Sequence, residues 1–178
     1  MPTGEDAMPD RSRSVEVDVV IGAIAGVVAT TAMTLSMAAM FRRLDRPERY
    51  PLPPRELTER TAAAAGIRHE LDEPEMQAAT LAGHFGFGAL MGSLYAPVFP
   101  GRRSGVGSGV GFGLFVWTAS YLGWVPGLGL LRPATEHPAR RNGLMIAAHV
   151  VWGAVLGSVA RRLSGAMTPF AAGPLRDR

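Results

Sequence analysis

The chain has 178 residues, with 18 basic and 15 acidic side chains and a formal net charge of +3 at pH 7. It contains no cysteine, which excludes disulfides, thiolate metal sites and thiol nucleophiles. The arginines are mixed with acidic residues in the same segments, which disfavours nucleic-acid binding because that function needs a basic face.

Charged residues are absent from four long stretches, which are 19–41, 76–101, 104–131 and 142–160. A soluble helix of such length would carry charge on its outer face every few residues. The hydrocarbon core of a bilayer is about 30 Å thick, and about 20 apolar residues of helix cross it. The pattern therefore predicts an all-α polytopic membrane protein, a bundle of four transmembrane helices. The predicted spans are about 17–41, 73–96, 104–124 and 142–160.

In the first half of the chain, several residues mark where helices begin and end. Residues 1–16 are polar and are predicted to form a disordered tail. After span one, Pro54 suits the first turn of a short helix at the membrane interface, and Gly66 suits its C-terminal cap. Asp72, followed by acidic residues and a proline, has the pattern of an N-cap and predicts the start of span two.

The second half of the chain has its own turn and helix boundaries. Spans two and three are predicted to form an antiparallel hairpin through the tight turn 101–104. Span three should end near Trp124, before Pro126, because proline interrupts helical hydrogen bonding. Segment 126–141 is a loop rich in glycine and proline, span four closes the 17–162 transmembrane domain, and 163–178 is predicted to be a flexible tail.

Small residues recur at intervals of four in every predicted span. Residues at i and i+4 share one helix face, so such a strip lets another helix approach closely. These strips predict helix packing within the bundle and also allow a homo-oligomer. The candidate packing residues are Gly22, Gly26, Gly88, Gly92, Gly105, Gly109, Gly113, Gly153 and Gly157.

Spans two and four share a more specific pattern, H-x-x-x-G-A-x-x-G-S, which begins at His84 and at His149. Because spans two and four run the same way through the membrane, this repeat predicts a parallel duplication of helix pairs 1–2 and 3–4. It also predicts that the two imidazoles lie at similar depths.

His84 and His149 are the intramembrane polar candidates. In a structural role, each neutral ring would bond a carbonyl or hydroxyl of a neighbouring helix, with Thr30 or Ser120 as possible partners. In a functional role, the pair would serve a proton-linked or ion-linked event, or would bind haem. His69 and His137 lie in polar loops and are expected to be solvated.

Catalytic and metal sites find little support in this pattern. The charge-free stretches contain no carboxylate, so they offer neither a paired acid and base nor an acidic metal cage. The sequence therefore predicts no enzyme, no metal site and no cofactor, with haem b as the alternative.

Several short segments, in order over about residues 20–162, resemble the YagU-like family of bacterial inner-membrane proteins. They are GAIAGVVA from Gly22, PLPPR from Pro51, AGH from Ala82, VFP from Val98 and AHVVW from Ala148. The resemblance implies a multi-pass protein of the bacterial inner membrane, of unknown mechanism, with a link to acid resistance and no catalytic residues.

Two functions are compatible with these features. The first is a non-enzymatic inner-membrane protein, a small permeation or acid-response protein whose partner is the lipid bilayer. The alternative is a haem-binding electron-transfer subunit that uses His84 and His149 as axial ligands.

Overall fold

The computed structural model describes residues 11–171, with side chains from 15 to 167, and this part of the chain is all-helical without a strand. The main helices are α1 (Arg11–Phe41), α2 (Pro53–Ala64), α3 (Glu73–Val98), α4 (Val106–Thr118) and α5 (Ala139–Ala171). A π-helical segment, Ala119–Trp124, continues α4 and leads into a last turn at Val125–Gly127.

Two described helices are long and apolar enough to cross a membrane by length and composition. They are Val15–Phe41 within α1 and Ala139–Met167 within α5, with mean hydropathies of 1.9 and 1.8. The described part of the chain is therefore all-α, and two of its helices could cross a membrane.

The long helices extend beyond the predicted spans. Helix α1 begins at Arg11, inside the segment 1–16 that was expected to be a tail, and residues 1–10 of that tail lie outside the described residues. Helix α5 continues to Ala171, inside the predicted tail 163–178, of which 172–178 lie outside the described residues. Each further residue of an existing helix adds one backbone hydrogen bond, so polar ends can extend an apolar helix.

The predicted end of α2 at Gly66 and the predicted start of α3 at Asp72 are confirmed. Asp72 accepts a hydrogen bond from the backbone N–H of Glu75, and the Glu75 side chain bonds the Asp72 N–H, which forms a capping box. Gly66, with φ of +76°, follows α2 in the left-handed conformation that favours glycine, and the Ile67 N–H bonds the Ala62 carbonyl there.

The helices pack as two close pairs, α1 with α3 and α4 with α5. Each pair crosses where glycine meets glycine, so a Cβ built at one glycine would overlap the backbone carbonyl of the other. The facing glycines are Gly22 with Gly92, Gly26 with Gly88, Gly105 with Gly157, and Gly109 with Gly153. Gly113 faces the His149 carbonyl in the same way. All nine predicted glycines thus lie at these two crossings.

The two pairs join through α1 and α5, which pack along the middle of the bundle. At their contact the Trp152 indole Nε1 donates to Thr30 Oγ1 over 3.1 Å, and Thr30 Oγ1 in turn donates to the Gly26 carbonyl over 2.8 Å. Helices α3 and α4 have little direct contact, apart from the region near their connecting turn, where Tyr95 Oη lies 2.8 Å from Ser108 Oγ. The bundle is therefore open between α3 and α4.

We expect Gly109→Ala to destabilise the α4–α5 pair, because its methyl group would overlap the Gly153 carbonyl. Overpacking of this kind costs about 1–3 kcal/mol. Gly111→Ala is the matched control, since a Cβ at Gly111 meets nothing within 4 Å. Unfolding in mixed detergent micelles, followed by tryptophan fluorescence, measures both variants. Equal stability of the two would contradict the close crossing.

Candidate binding cavity

A cavity of about 490 Å³ lies in the opening between α3 and α4, and residues from all five helices line it. Its lining is mostly apolar and includes Met33, Leu57, Val116 and Trp152. Within the described chain, no aspartate, glutamate or arginine lines it. Such a cavity suits a neutral, largely apolar molecule, since a charged group would lack both water and a counter-charge there.

Both predicted polar candidates, His84 and His149, line this cavity. The His149 side chain is 7% exposed, and its Nδ1 lies 2.8 Å from the Met145 carbonyl oxygen of its own helix. Because a carbonyl oxygen can only accept, Nδ1 carries the proton, and Nε2 of the neutral ring is left with a free lone pair.

His84 has a different environment, although it occupies the equivalent place in the repeat. It is half-buried, and its buried Nε2 has no hydrogen-bond partner among the described residues. The bond to a neighbouring helix that the structural role would require is therefore not formed by either histidine among the described residues. The predicted hydroxyl partners differ too: Thr30 bonds a carbonyl of its own helix, and Ser120 bonds neither ring.

The π-helical segment adds polar groups that sequence reasoning did not assign to a site. Ser120, Tyr121 and Trp124 all line the cavity, and the Tyr121 ring packs edge-on against His149 with centroids 6.1 Å apart. The segment contains Gly123, whose backbone leaves the helical region at φ −114° and ψ −110°. Gly123, three residues before Pro126, was the signal in the sequence that the helix is interrupted here. π-Helical turns within helices are often found at functional sites.

Helix α2 covers the cavity at the end of the bundle where the 42–72 segment lies. Its residues Pro53, Leu57 and Ala62 contribute to the lining. Arg55 fixes α2 to the start of α3, because Nη1 and Nη2 donate to the two carboxylate oxygens of Glu73 over 2.9 and 2.7 Å. The short interfacial helix predicted from sequence thus acts as a cover over the cavity.

Arg141, at the start of α5, attaches the preceding loop to the bundle. Its guanidinium donates to the carbonyls of Glu48, Tyr50 and Pro51, each over 2.9 Å, and lies 3.5 Å from the centroid of the Tyr50 ring. The side chain is 4% exposed, so these carbonyls take the place of its hydration. The arginine holds the 48–51 backbone just before α2.

His137 was expected to be solvated, and this expectation is wrong. Its Nδ1 lies 2.8 Å from Tyr50 Oη, and the two rings stack with centroids 6.1 Å apart. Burial, followed by the charges of Arg132 and Arg141, lowers the pKa of His137 below its ordinary value of 6.5. The neutral ring therefore contributes to the same attachment as Arg141.

The rim of the cavity faces outward between α3 and α4. Phe87 and Trp124, which are 37% and 44% exposed, meet there with ring centroids 6.3 Å apart. The far end is filled, because Phe112 stacks on Trp152 with ring centroids 6.2 Å apart and packs at a tilt against Tyr95 with centroids 5.4 Å apart. The cavity thus opens sideways between two helices and is closed towards the 101–103 turn.

Comparison with known proteins found no matching family model, no similar curated protein and no similar solved structure. Within the described residues, no group of three histidine, aspartate or glutamate side chains is placed to hold a metal ion.

We expect Arg141→Lys to lower the free energy of unfolding by about 2 kcal/mol, because an ammonium cannot reach three carbonyls in the planar arrangement of a guanidinium. Arg140→Lys is the matched control: Arg140 forms an exposed ion pair with Asp45, worth about 1 kcal/mol at most. Unfolding in mixed micelles compares them. A smaller loss for Arg141→Lys than for Arg140→Lys would show that Arg141 does not hold the loop.

Proposed function

We propose that this chain is a multi-pass protein of the bacterial inner membrane, with α1, α3, α4 together with its π-helical extension, and α5 as four spans. Its outward-facing surface supports this proposal, because large apolar side chains are exposed on several helices. They include Ile24 and Leu35 on α1, Leu90 and Leu94 on α3, and Phe115 on α4. Soluble monomers rarely expose so much contiguous apolar surface. The resemblance to the YagU-like family supports the same location.

The four-span arrangement predicts that the two ends of α3 lie on opposite sides of the membrane. Because the chain has no cysteine, single cysteines report this cleanly. Arg68→Cys, before α3, and Arg102→Cys, after it, replace exposed side chains. A membrane-impermeant maleimide added to right-side-out vesicles should label one of them and not the other. Labelling of both from the same side would mean that α3 does not cross.

The lateral cavity supports a specific role within that location. We infer that the protein binds a neutral apolar molecule taken from the bilayer and catalyses no reaction on it. The observation that carries this inference is the cavity of about 490 Å³ between α3 and α4, uncharged in its lining and open sideways at Phe87 and Trp124. Ser120 bonds no imidazole, so the lining lacks an activated nucleophile.

Permeation and acid response stay predictions. A pore would have to pass the packed rings of Tyr95, Phe112 and Trp152, of which Tyr95 and Trp152 are 0% and 3% exposed. The described conformation therefore suits binding from one side of the bundle better than passage through it. Proton flux into liposomes containing the wild type or the His84→Gln/His149→Gln double variant tests an acid-linked role.

Binding is testable through Trp152, which lines the cavity and is almost fully buried. In a Trp117→Phe/Trp124→Phe background, 1-bromoundecane should quench Trp152 fluorescence saturably in lipid nanodiscs. Gly83→Leu fills the cavity from α3 and should weaken binding by about tenfold, the effect of losing part of the apolar contact area.

Gly86→Leu is the matched control for this measurement. It lies three residues further along α3, outside the lining, and a Cβ at either glycine meets nothing within 4 Å. Unsaturable quenching in the wild type, or equal binding by the two leucine variants, would overturn the binding proposal.

Haem b is the second candidate, favoured by two histidines that line one cavity and keep Nε2 without a described protein partner. The uncharged lining weighs against it, because no arginine is present there to bind the propionates. A visible spectrum of the purified protein decides between the two: a Soret band that His84→Ala abolishes would favour haem.

A further inference from the structure

Four polar groups of the cavity lining lack hydrogen-bond partners among the described residues. They are the imidazoles of His84 and His149, each through Nε2, and the hydroxyls of Ser120 and Tyr121. The threonines of the lining differ, since Thr58, Thr61 and Thr30 each donate to a carbonyl of their own helix. Of the four, His84 Nε2 is the fully buried one. Buried polar groups are nearly always bonded, so this nitrogen in an apolar cavity needs an explanation, and the other three groups are free to bond a molecule in the cavity.

These groups lie on facing elements and not on a single helix. Ser120 and Tyr121 come from the π-helical segment, His149 from α5 and His84 from α3. Tyr121 and His149 are in ring contact, and Ser120 and His149 are each 7% exposed. A ligand in the cavity would therefore meet polar groups from three elements and apolar side chains elsewhere.

The hydrogen-bonding character of the set limits the ligand. His149 Nε2 can only accept, because Nδ1 uses its proton on the Met145 carbonyl. The hydroxyls of Ser120 and Tyr121 can donate. A complementary head group must therefore donate one hydrogen bond and accept others while carrying no charge, because no cation among the described residues lines the cavity. A hydroxyl group has this combination.

We propose that the cavity binds a single-chain apolar alcohol, with its hydroxyl donating to His149 Nε2 and accepting from Tyr121 or Ser120. This proposal rests on the proposed binding function and specifies the chemistry of its ligand. The apolar tail lies along Met33, Phe87 and Val116 and leaves the bundle between α3 and α4. The π-helical segment contributes both hydroxyls, from the consecutive residues Ser120 and Tyr121.

The test compares probes that differ in the head group alone. In the Trp117→Phe/Trp124→Phe background, in which Trp152 is the remaining tryptophan, quenching of its fluorescence is measured in phosphatidylcholine nanodiscs at pH 8. The three probes are 11-bromo-1-undecanol, its methyl ether and 11-bromoundecanoate. The alcohol should bind at least about fivefold more tightly than the ether, which cannot donate, as expected for one neutral hydrogen bond. Tighter binding of the carboxylate, or equal binding of alcohol and ether, would overturn the proposal.

Variants then assign the head-group contact. His149→Leu should reduce the preference for the alcohol over the ether, because it removes the acceptor of the alcohol's hydrogen bond. Tyr121→Phe should weaken binding of the alcohol and the ether alike and keep the preference, because the oxygen of either probe can accept from the Tyr121 hydroxyl. Tyr121→Phe removes a hydroxyl that bonds no described protein group, so the fold should tolerate it. Thr118→Val is the control, since Thr118 bonds the Leu114 carbonyl outside the lining, and it should keep the full preference.

The outcomes separate the two proposals. Saturable quenching by 1-bromoundecane, without any preference for the alcohol, would retain the binding function and overturn the hydroxyl assignment. Absence of saturable quenching by every probe would overturn the binding function itself. Retention of the full alcohol preference in His149→Leu would show that the head group binds elsewhere.

Discussion

Direct contact between backbones, which only glycine permits, determines the arrangement of this bundle. In each pair the helices approach until a carbonyl of one occupies the space that a Cβ of the other would fill. In a bilayer no hydrophobic effect drives helices together, so contact area and dispersion must do so, and both are greatest where side chains are smallest. Helices α3 and α4 themselves have few contacts, and the cavity lies where the remaining faces of the helices do not meet.

The two crossings have the same pattern of facing glycines, but they differ one helical turn further along. Gly22 and Gly26 face Gly92 and Gly88, much as Gly105 and Gly109 face Gly157 and Gly153. One turn further along, α1 has Thr30 where α4 has Gly113. Thr30 bonds Trp152 and so joins the two pairs, whereas Gly113 lets α4 approach the backbone of His149. The two pairs are thus joined asymmetrically, with α1 and α5 packed together and α3 and α4 separated.

Local patterns predicted from the sequence agree with the structure where local forces decide. The glycine strips lie at the crossings, and the Asp72 capping box starts α3, because a strip is defined by a spacing of four residues and a capping box by a spacing of three within one helix. The cavity could not be predicted in the same way. Its cover requires Arg141 to meet carbonyls 90 or more positions earlier in the chain, and its hydroxyls depend on a π-helical segment that tertiary packing stabilises. A spacing of four residues identifies one face of a helix, but no spacing in the sequence shows which helix faces will be separated by a cavity.

The attachment of Arg141 has a consequence for assembly. During synthesis the 48–51 backbone leaves the ribosome long before α5, and its carbonyls have no guanidinium to bond until α5 is in place. Helix α2 is by then held to α3 through Arg55, but the loop that precedes it is not yet fixed. The cover over the cavity therefore forms only once α5 has joined the bundle, so the α1–α3 crossing can form while the interior is still open.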